Sequence, residues 1–217
     1  TDIDLQAIAE RMDIQTVDKV TLITAKEQLN LDEDAFIKYS KEGKVAVNSQ
    51  LLKEEEEKVK DEQEYNQLLV PPGKRARIEL SDGTHLVVNS QSKVIYPRRF
   101  KGDIRKIYAQ GEIFLEVAHD KKHPFIVESE DFNLRVLGTK FNISNYKGEP
   151  TNIVLVEGSV VVTDKNERKT QLAPNDLLNI ADGTITSQKK VDVAEYISWV
   201  DGIMLLNGNE LSQIIQK

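Results

Sequence analysis

The sequence predicts a mainly β fold, a β-sandwich or β-roll of many short antiparallel strands that ends in a short helix–strand–helix appendage. Three observations carry this expectation. Short apolar runs recur along the chain, each bounded by Gly, Pro, Asn or Asp. Within several of them apolar and polar residues alternate, the period of a strand with one covered face. Apolar residues at helical spacing occur only near the two ends, so the strand–helix alternation that builds parallel sheets is missing.

Ile3, Leu5, Ile8, Ala9 and Met12 lie at roughly helical spacing in a short run, which fits a frayed helix and a linker equally well. From Lys19 the pattern changes to strands at Val20-Thr21-Leu22-Ile23, Phe36-Ile37-Lys38-Tyr39 and Val45-Ala46-Val47. Ten of residues 51–64 are charged, which reads as a solvated loop or exposed helix, with an acidic docking surface as the alternative. Pro71-Pro72-Gly73 then fixes an extended entry into a long β-rich stretch. Around Ser81-Asp82-Gly83 a three-residue loop pairs Ile78 with Leu86 and Ala76 with Val88, which places one apolar set on one face. A two-residue loop would split that set, so the three-residue loop is preferred, with Gly83 in the left-handed conformation. A second hairpin is expected across Glu157-Gly158-Ser159, its strands 153–156 and 160–162 covered on both faces and central to the fold. Val193, Tyr196, Ile197 and Val200 predict an amphipathic helix capped by Asp192 and stopped by Gly202. A strand-like Ile203-Met204-Leu205-Leu206 follows, then a helical pattern of Leu211, Ile214 and Ile215 that the end of the chain cuts short.

Composition narrows the function. The chain has 217 residues, 39% apolar and 30% charged, enough for one large domain, or one main domain with short appendages. Absence of cysteine removes disulfides, thiolate metal sites and cysteine nucleophiles. A net charge of -7 opposes a phosphate backbone, so nucleic acid is not an expected partner. No run reaches the ~20 apolar residues of a membrane span. The first residue is Thr1 rather than Met, which suggests a fragment that has lost a targeting or membrane segment.

Catalytic and cofactor chemistry find no support in the residue pattern. His119 and His123 flank two lysines between strands, and a surface loop is the better reading than a metal site. Glu112, Glu116 and Glu157 occupy turn or outward strand positions, the serines at 81, 90, 92 and 159 lack a nucleophile elbow, and there is no phosphate-cradling glycine loop. Arg98, Arg99, Lys101, Arg105 and Lys106 form the one basic patch, read as a solvated edge strand or a surface for an acidic partner. Trp199, the sole tryptophan, either anchors an interface or packs its helix on the β body; packing is favoured.

An ordered series of motifs resembles the FecR family. It runs from Leu69-Val70-Pro71-Pro72-Gly73 through Leu80-Ser81-Asp82-Gly83-Thr84, Ser92-Lys93-Val94-Ile95-Tyr96-Pro97 and Gly111-Glu112-Ile113-Phe114-Leu115-Glu116-Val117. It continues in Val136-Leu137-Gly138-Thr139-Lys140-Phe141-Asn142-Ile143, Val156-Glu157-Gly158-Ser159-Val160, Leu172-Ala173-Pro174-Asn175-Asp176 and Trp199-Val200-Asp201-Gly202. Pro72 departs from the pattern without disturbing the turn. The resemblance implies residues 1–67 as an N-terminal extension, 68–190 as a FecR-like β domain, and 191–217 as the truncated start of a C-terminal signalling domain. It also implies the periplasmic part of a single-pass inner-membrane anti-sigma regulator, anchored by one helix N-terminal to this fragment. Such a regulator relays a signal from the N-terminal domain of an outer-membrane TonB-dependent transducer to an extracytoplasmic-function sigma factor, held by a cytoplasmic segment absent here. With the apolar ending of the chain, it points to Trp199, Ile203, Leu205, Leu211 and Ile214 as the partner-binding surface, with no cofactor. A stand-alone glycan-binding β-sandwich is the alternative; aromatics at 6%, mostly at core-alternating positions, count against it.

Overall fold

The structure is a computed structural model that describes residues 3–52 and 64–204, the last four of these by backbone only. Eighteen strands follow one another along the described chain. They are β1 Val20–Ile23, β2 Gln28–Leu31, β3 Ala35–Tyr39, β4 Val45–Val47, β5 Gln50–Leu51, β6 Tyr65–Val70, β7 Ala76–Glu79, β8 His85–Val88 and β9 Ser92–Pro97, then β10 Arg105–Glu116, β11 Phe125–Glu128, β12 Phe132–Val136, β13 Lys140–Asn145, β14 Thr151–Glu157, β15 Val160–Asp164, β16 Lys169–Leu172, β17 Asp176–Ala181 and β18 Thr184–Lys190. A helix stands at each end, α1 Leu5–Ala9 and α2 Ala194–Met204. The mainly β expectation is met, and the short C-terminal helix is present.

Hydrogen bonding sorts the strands into two sheets. Sheet A runs β2–β1–β6–β9–β10–β11–β12–β15–β16 and sheet B runs β5–β4–β3–β7–β8–β10–β13–β14–β17–β18. All pairs are antiparallel except β10–β11 and β3–β7. β10 belongs to both sheets: its first half pairs with β9 and β11, and its second half, from Gly111, with β8 and β13. Between the sheets lies one continuous apolar core, with Leu22, Leu68, Val94, Phe125 and Leu134 from sheet A facing Ile37, Ile78, Leu86, Phe141 and Ile153 from sheet B. Burial of aliphatic and aromatic side chains on this scale is the main stabilising term, about 1.5–3 kcal/mol for each large residue.

The hairpin at Ser81-Asp82-Gly83 has the expected register, with Ile78 opposite Leu86 and Ala76 opposite Val88. Gly83 sits at φ +85, and nothing lies within 4 Å of the position a Cβ would take. Gly83→Ala should therefore cost only the left-handed backbone term, about 1–2 kcal/mol, measured by denaturant unfolding.

Three expectations are corrected. The segments 153–156 and 160–162 do not form a hairpin: β14 pairs with β13 and β17 in sheet B, whereas β15 pairs with β12 and β16 in sheet A. Glu157-Gly158-Ser159 is a corner where the chain changes sheets, and Gly158, at φ +93, passes so close to Gly138 that a Cβ would lie 2.9 Å from its carbonyl oxygen. Of these two strands β14 is the one with buried residues on both faces; β15 alternates buried and half-buried.

The basic cluster is not a solvated edge strand, because Arg105, which pairs with Phe125 of β11, is buried. Its Nη1 donates to Asp82 Oδ2 and to the Ala118 carbonyl, each at 2.8 Å, and its Nε to the His123 carbonyl at 2.8 Å. The others disperse: Arg98 pairs with Glu64 at 3.4 Å and Lys106 with Glu128 at 3.2 Å. Finally, Gly202 does not stop the last helix, which continues through Ile203 to Met204 where a strand was expected.

The run that read equally as frayed helix or linker is helical over Leu5–Ala9, with Asp4 as its cap accepting from the Ala7 N–H at 3.0 Å. Leu5 and Ala9 pack on Ile95 and Tyr108, the side of sheet A that faces away from the core. The Lys93 ammonium donates to the Ala9 and Met12 carbonyls and closes this helix electrostatically. Burial lowers the pKa of Lys93. The charged segment 53–63 lies outside the described residues, and no helix among them is long and apolar enough to cross a membrane.

Candidate functional site

Sheet B presents a second, outward surface, and α2 lies on it. Side-chain alternation sends Leu86, Val88, Ile113 and Leu115 into the core and Val87 and Phe114 outward. Register places one outward row across neighbouring strands: Arg77, Val87, Phe114, Asn142, Val154 and Leu177. Onto this row α2 sets Ile197 and Val200, flanked by the half-buried Tyr196, Trp199 and Val156. The helix begins where expected, with Asp192 Oδ1 accepting from the Ala194 N–H at 3.0 Å.

Polar contacts fix the orientation of the helix. Trp199 Nε1 donates to Asn142 Oδ1 at 3.2 Å, and Asn142 Nδ2 donates to Glu112 Oε2 at 3.2 Å. The other carboxylate oxygen, Oε1, accepts from Asn89 Nδ2 at 2.8 Å. From β7's leading loop, Arg75 Nη1 reaches the Trp199 carbonyl at 3.1 Å, and its guanidinium stands 5.9 Å from the indole centre. Nearby, the Tyr146 phenol donates to the Ser90 carbonyl at 2.9 Å, and burial, followed by the charge of Glu112, raises its pKa. The apolar part of this contact is small. Ile197 and Val200 supply about 1.5–3 kcal/mol each, set against the entropy of ordering the helix backbone.

Of the five residues predicted to meet a partner, the structure places Trp199 at this seam, indole against the β body as the favoured reading has it. Ile203 is placed by backbone only, in the last turn of α2; Leu205, Leu211 and Ile214 lie outside the described residues. Sequence reasoning missed Asn142, Glu112, Asn89 and Arg75. One signal was available for Asn142: it is a polar residue, 2% exposed, in the middle of the apolar strand Phe141-Asn142-Ile143. A buried amide in such a place needs partners.

Asn142→Ala removes both the acceptor for the indole and one donor to Glu112. It should cost about 1–3 kcal/mol and shift the fluorescence of the single tryptophan to longer wavelength as the ring gains water; unchanged emission would show that this bond does not hold the helix.

The histidine segment has no convergent geometry. His119 is exposed and its ring abuts Gly138, while His123 Nδ1 meets Asp120 Oδ2 at 2.7 Å. Glu116 and Glu157 share Lys140, at 3.5 and 3.4 Å, across the β10–β13–β14 surface. Among the described residues no group of three or more His, Asp or Glu side chains is arranged to hold a metal.

The FecR protein family model matches residues 66–161, the stretch from β6 into β15 that contains the shared strand β10 and the Glu112–Asn142 pair but not α2. Two crystal structures of a "putative anti-sigma factor" from Parabacteroides distasonis ATCC 8503, at 2.50 and 1.65 Å resolution, superpose with TM-scores of 0.60 and 0.59, each at 30% identity. The superpositions cover 64% and 63% of this chain and 65% of each of those chains, so this chain spans just under two thirds of their length. No curated protein matches.

Proposed function

We propose, from the match of residues 66–161 to the FecR protein family, that the chain is the extracytoplasmic signalling part of an anti-sigma regulator. In this reading it is periplasmic, belongs to a protein anchored in the inner membrane by one helix, and relays a signal to an extracytoplasmic-function sigma factor. The signal comes from the N-terminal domain of an outer-membrane TonB-dependent transducer.

The observation that supports the reading most directly is the docking of α2. A rigid two-sheet body carries the C-terminal helix on an outward face through two aliphatic side chains and a few hydrogen bonds. A contact of that size is one a partner can bias, because a ligand shifts an equilibrium by its difference in affinity for the two states. The transducer domain binds the apolar segment that follows α2, by strand addition and side-chain packing. Trp199 and Ile203 form the near edge of that surface and Leu205, Leu211 and Ile214 the remainder. Capture of this segment pulls on α2, and release of α2 changes what the body presents toward the membrane.

The test is a titration of the transducer's N-terminal domain against this chain and against Leu205→Asp and Ile214→Asp. Each charge placed in an apolar contact should weaken binding at least tenfold, the equivalent of about 1.4 kcal/mol. Unchanged affinity in both variants would reject the surface.

A further inference from the structure

Four turns come together around a cleft of about 600 Å³: residues 129–131 between β11 and β12, 146–150 between β13 and β14, Lys165 after β15, and Asp182 between β17 and β18. Tyr108 and Gln110 of β10 and Asn145 of β13 complete its lining. Loops gathered at one end of a sandwich are a common place for recognition, because rigid strands position them.

Asn145 is 7% exposed, and its amide is half satisfied. Nδ2 donates to the Ala109 carbonyl at 3.1 Å and to Ser129 Oγ at 2.6 Å, whereas Oδ1 has no hydrogen-bond partner among the described residues. An orphaned buried acceptor beside a cleft calls for a donor. The charge around it has one sign in excess: the carboxylates of Glu130, Asp131, Glu149 and Asp182 against the ammonium groups of Lys147 and Lys165. Lys165 already reports that field. It meets Asp131 Oδ1 at 2.7 Å, and its pKa is raised by that bond and further by Glu130 and Asp182. Tyr108 agrees, its phenol pushed up to about 12 by burial first and then by Glu130, Glu10 and Asp131. Asp182 holds its place at φ +49, a conformation that glycine would take more easily, and so sets a carboxylate at the rim.

We propose that this cleft binds an organic cation rich in N–H donors, a guanidinium or a primary ammonium group. Asn145 Oδ1 accepts from it at the wall, and Asp182, Glu149 and Glu130 flank it at the rim. A bare metal ion is a poorer match, because no three carboxylates converge among the described residues. An anion would meet the excess of negative charge. The planar fork of a guanidinium can reach several acceptors at once.

The experiment is an amide-resolved NMR titration of the whole chain with two probes, L-arginine amide and a capped Gly-Arg-Gly peptide, and with methyl glucoside as a neutral control. Shifts should be confined to residues 108–110, 129–131, 145–149, 165 and 182–183. Asp182→Asn keeps a residue that tolerates positive φ, and Glu149→Gln alters an exposed loop; each should weaken binding about two- to fivefold. Response to both cations assigns recognition to the guanidinium they share, and response to L-arginine amide alone to its α-ammonium group. No localised shifts, equal shifts with methyl glucoside, or full affinity in both variants would overturn the proposal.

Discussion

Arg105→Met should lower the stability of the folded chain by about 3–5 kcal/mol, equivalent to a fall of roughly 6–20 °C in Tm for a chain of this size. The guanidinium is 5% exposed and its hydrogen bonds gather three separate segments. It pairs with Asp82 in the β7–β8 turn, donates to the carbonyls of Ala118 and His123 in the loop after β10, and comes within 3.5 Å of the Leu137 carbonyl. Its Cζ stands 5.3 Å from the Phe125 ring centre. Methionine fills much of the volume but donates nothing, so Asp82, itself 13% exposed, keeps a charge in low dielectric and the carbonyls lose their donors. Arg105→Lys keeps the charge but not the fork, and should fall between the two. Denaturant unfolding of the three proteins checks the order; a loss below about 1 kcal/mol in the methionine variant would mean that water replaces the guanidinium at little cost.

Arg105 also shows where sequence reading stops. Five basic residues between 98 and 106 look like a solvated stripe, and nothing local distinguishes the one that turns inward. Its burial depends on carbonyls supplied by residues 118, 123 and 137, which only the folded topology brings together. The two hairpin readings differ for the same reason. Around Ser81-Asp82-Gly83, alternation on both arms admits only one register with a single apolar face, and the structure has it. At Glu157-Gly158-Ser159 both arms are apolar, so pairing and a change of sheet leave the same trace in the sequence. What decides it is the approach of Gly158 to Gly138, twenty residues earlier in the chain. The mainly β class, the core strands and the start of α2 were legible because each rests on a local period. At the α2 seam Trp199 was legible by rarity alone, while Arg75 and Asn89 carry no sequence mark. Gly202 lowers helix propensity by about 1 kcal/mol, a bias that a helix lying on a sheet can override.

Gly111→Ala is expected to be the most damaging glycine substitution in the chain. At Gly111 β10 leaves β9 and β11 for β8 and β13, so the strand must bend where it exchanges partners. The bend is made with φ +100, a region that costs a residue with a side chain about 1–3 kcal/mol. Space is the second obstacle. A Cβ would lie 2.3 Å from Ser92 Oγ and 2.7 Å from Ser92 Cα. The hydroxyl could rotate away at the cost of its bond from the Glu112 N–H, 2.9 Å, but the Cα belongs to the backbone of β9 and moves only with that strand. Forcing the strands apart adds about 1–3 kcal/mol, which brings the expected loss to about 2–6 kcal/mol. Gly83→Ala, with similar φ and open space, supplies the backbone term alone, and the difference between the two variants measures the clash. Adding Ser92→Ala to Gly111→Ala removes the nearest atom but leaves the clash with the β9 backbone, so the double variant should recover little. Substantial recovery would place the obstruction in the Ser92 hydroxyl rather than in the strand itself. Because Glu112 follows Gly111 directly and holds Asn142 beneath Trp199, loss of the bend should also release α2 and redden the tryptophan emission before global unfolding.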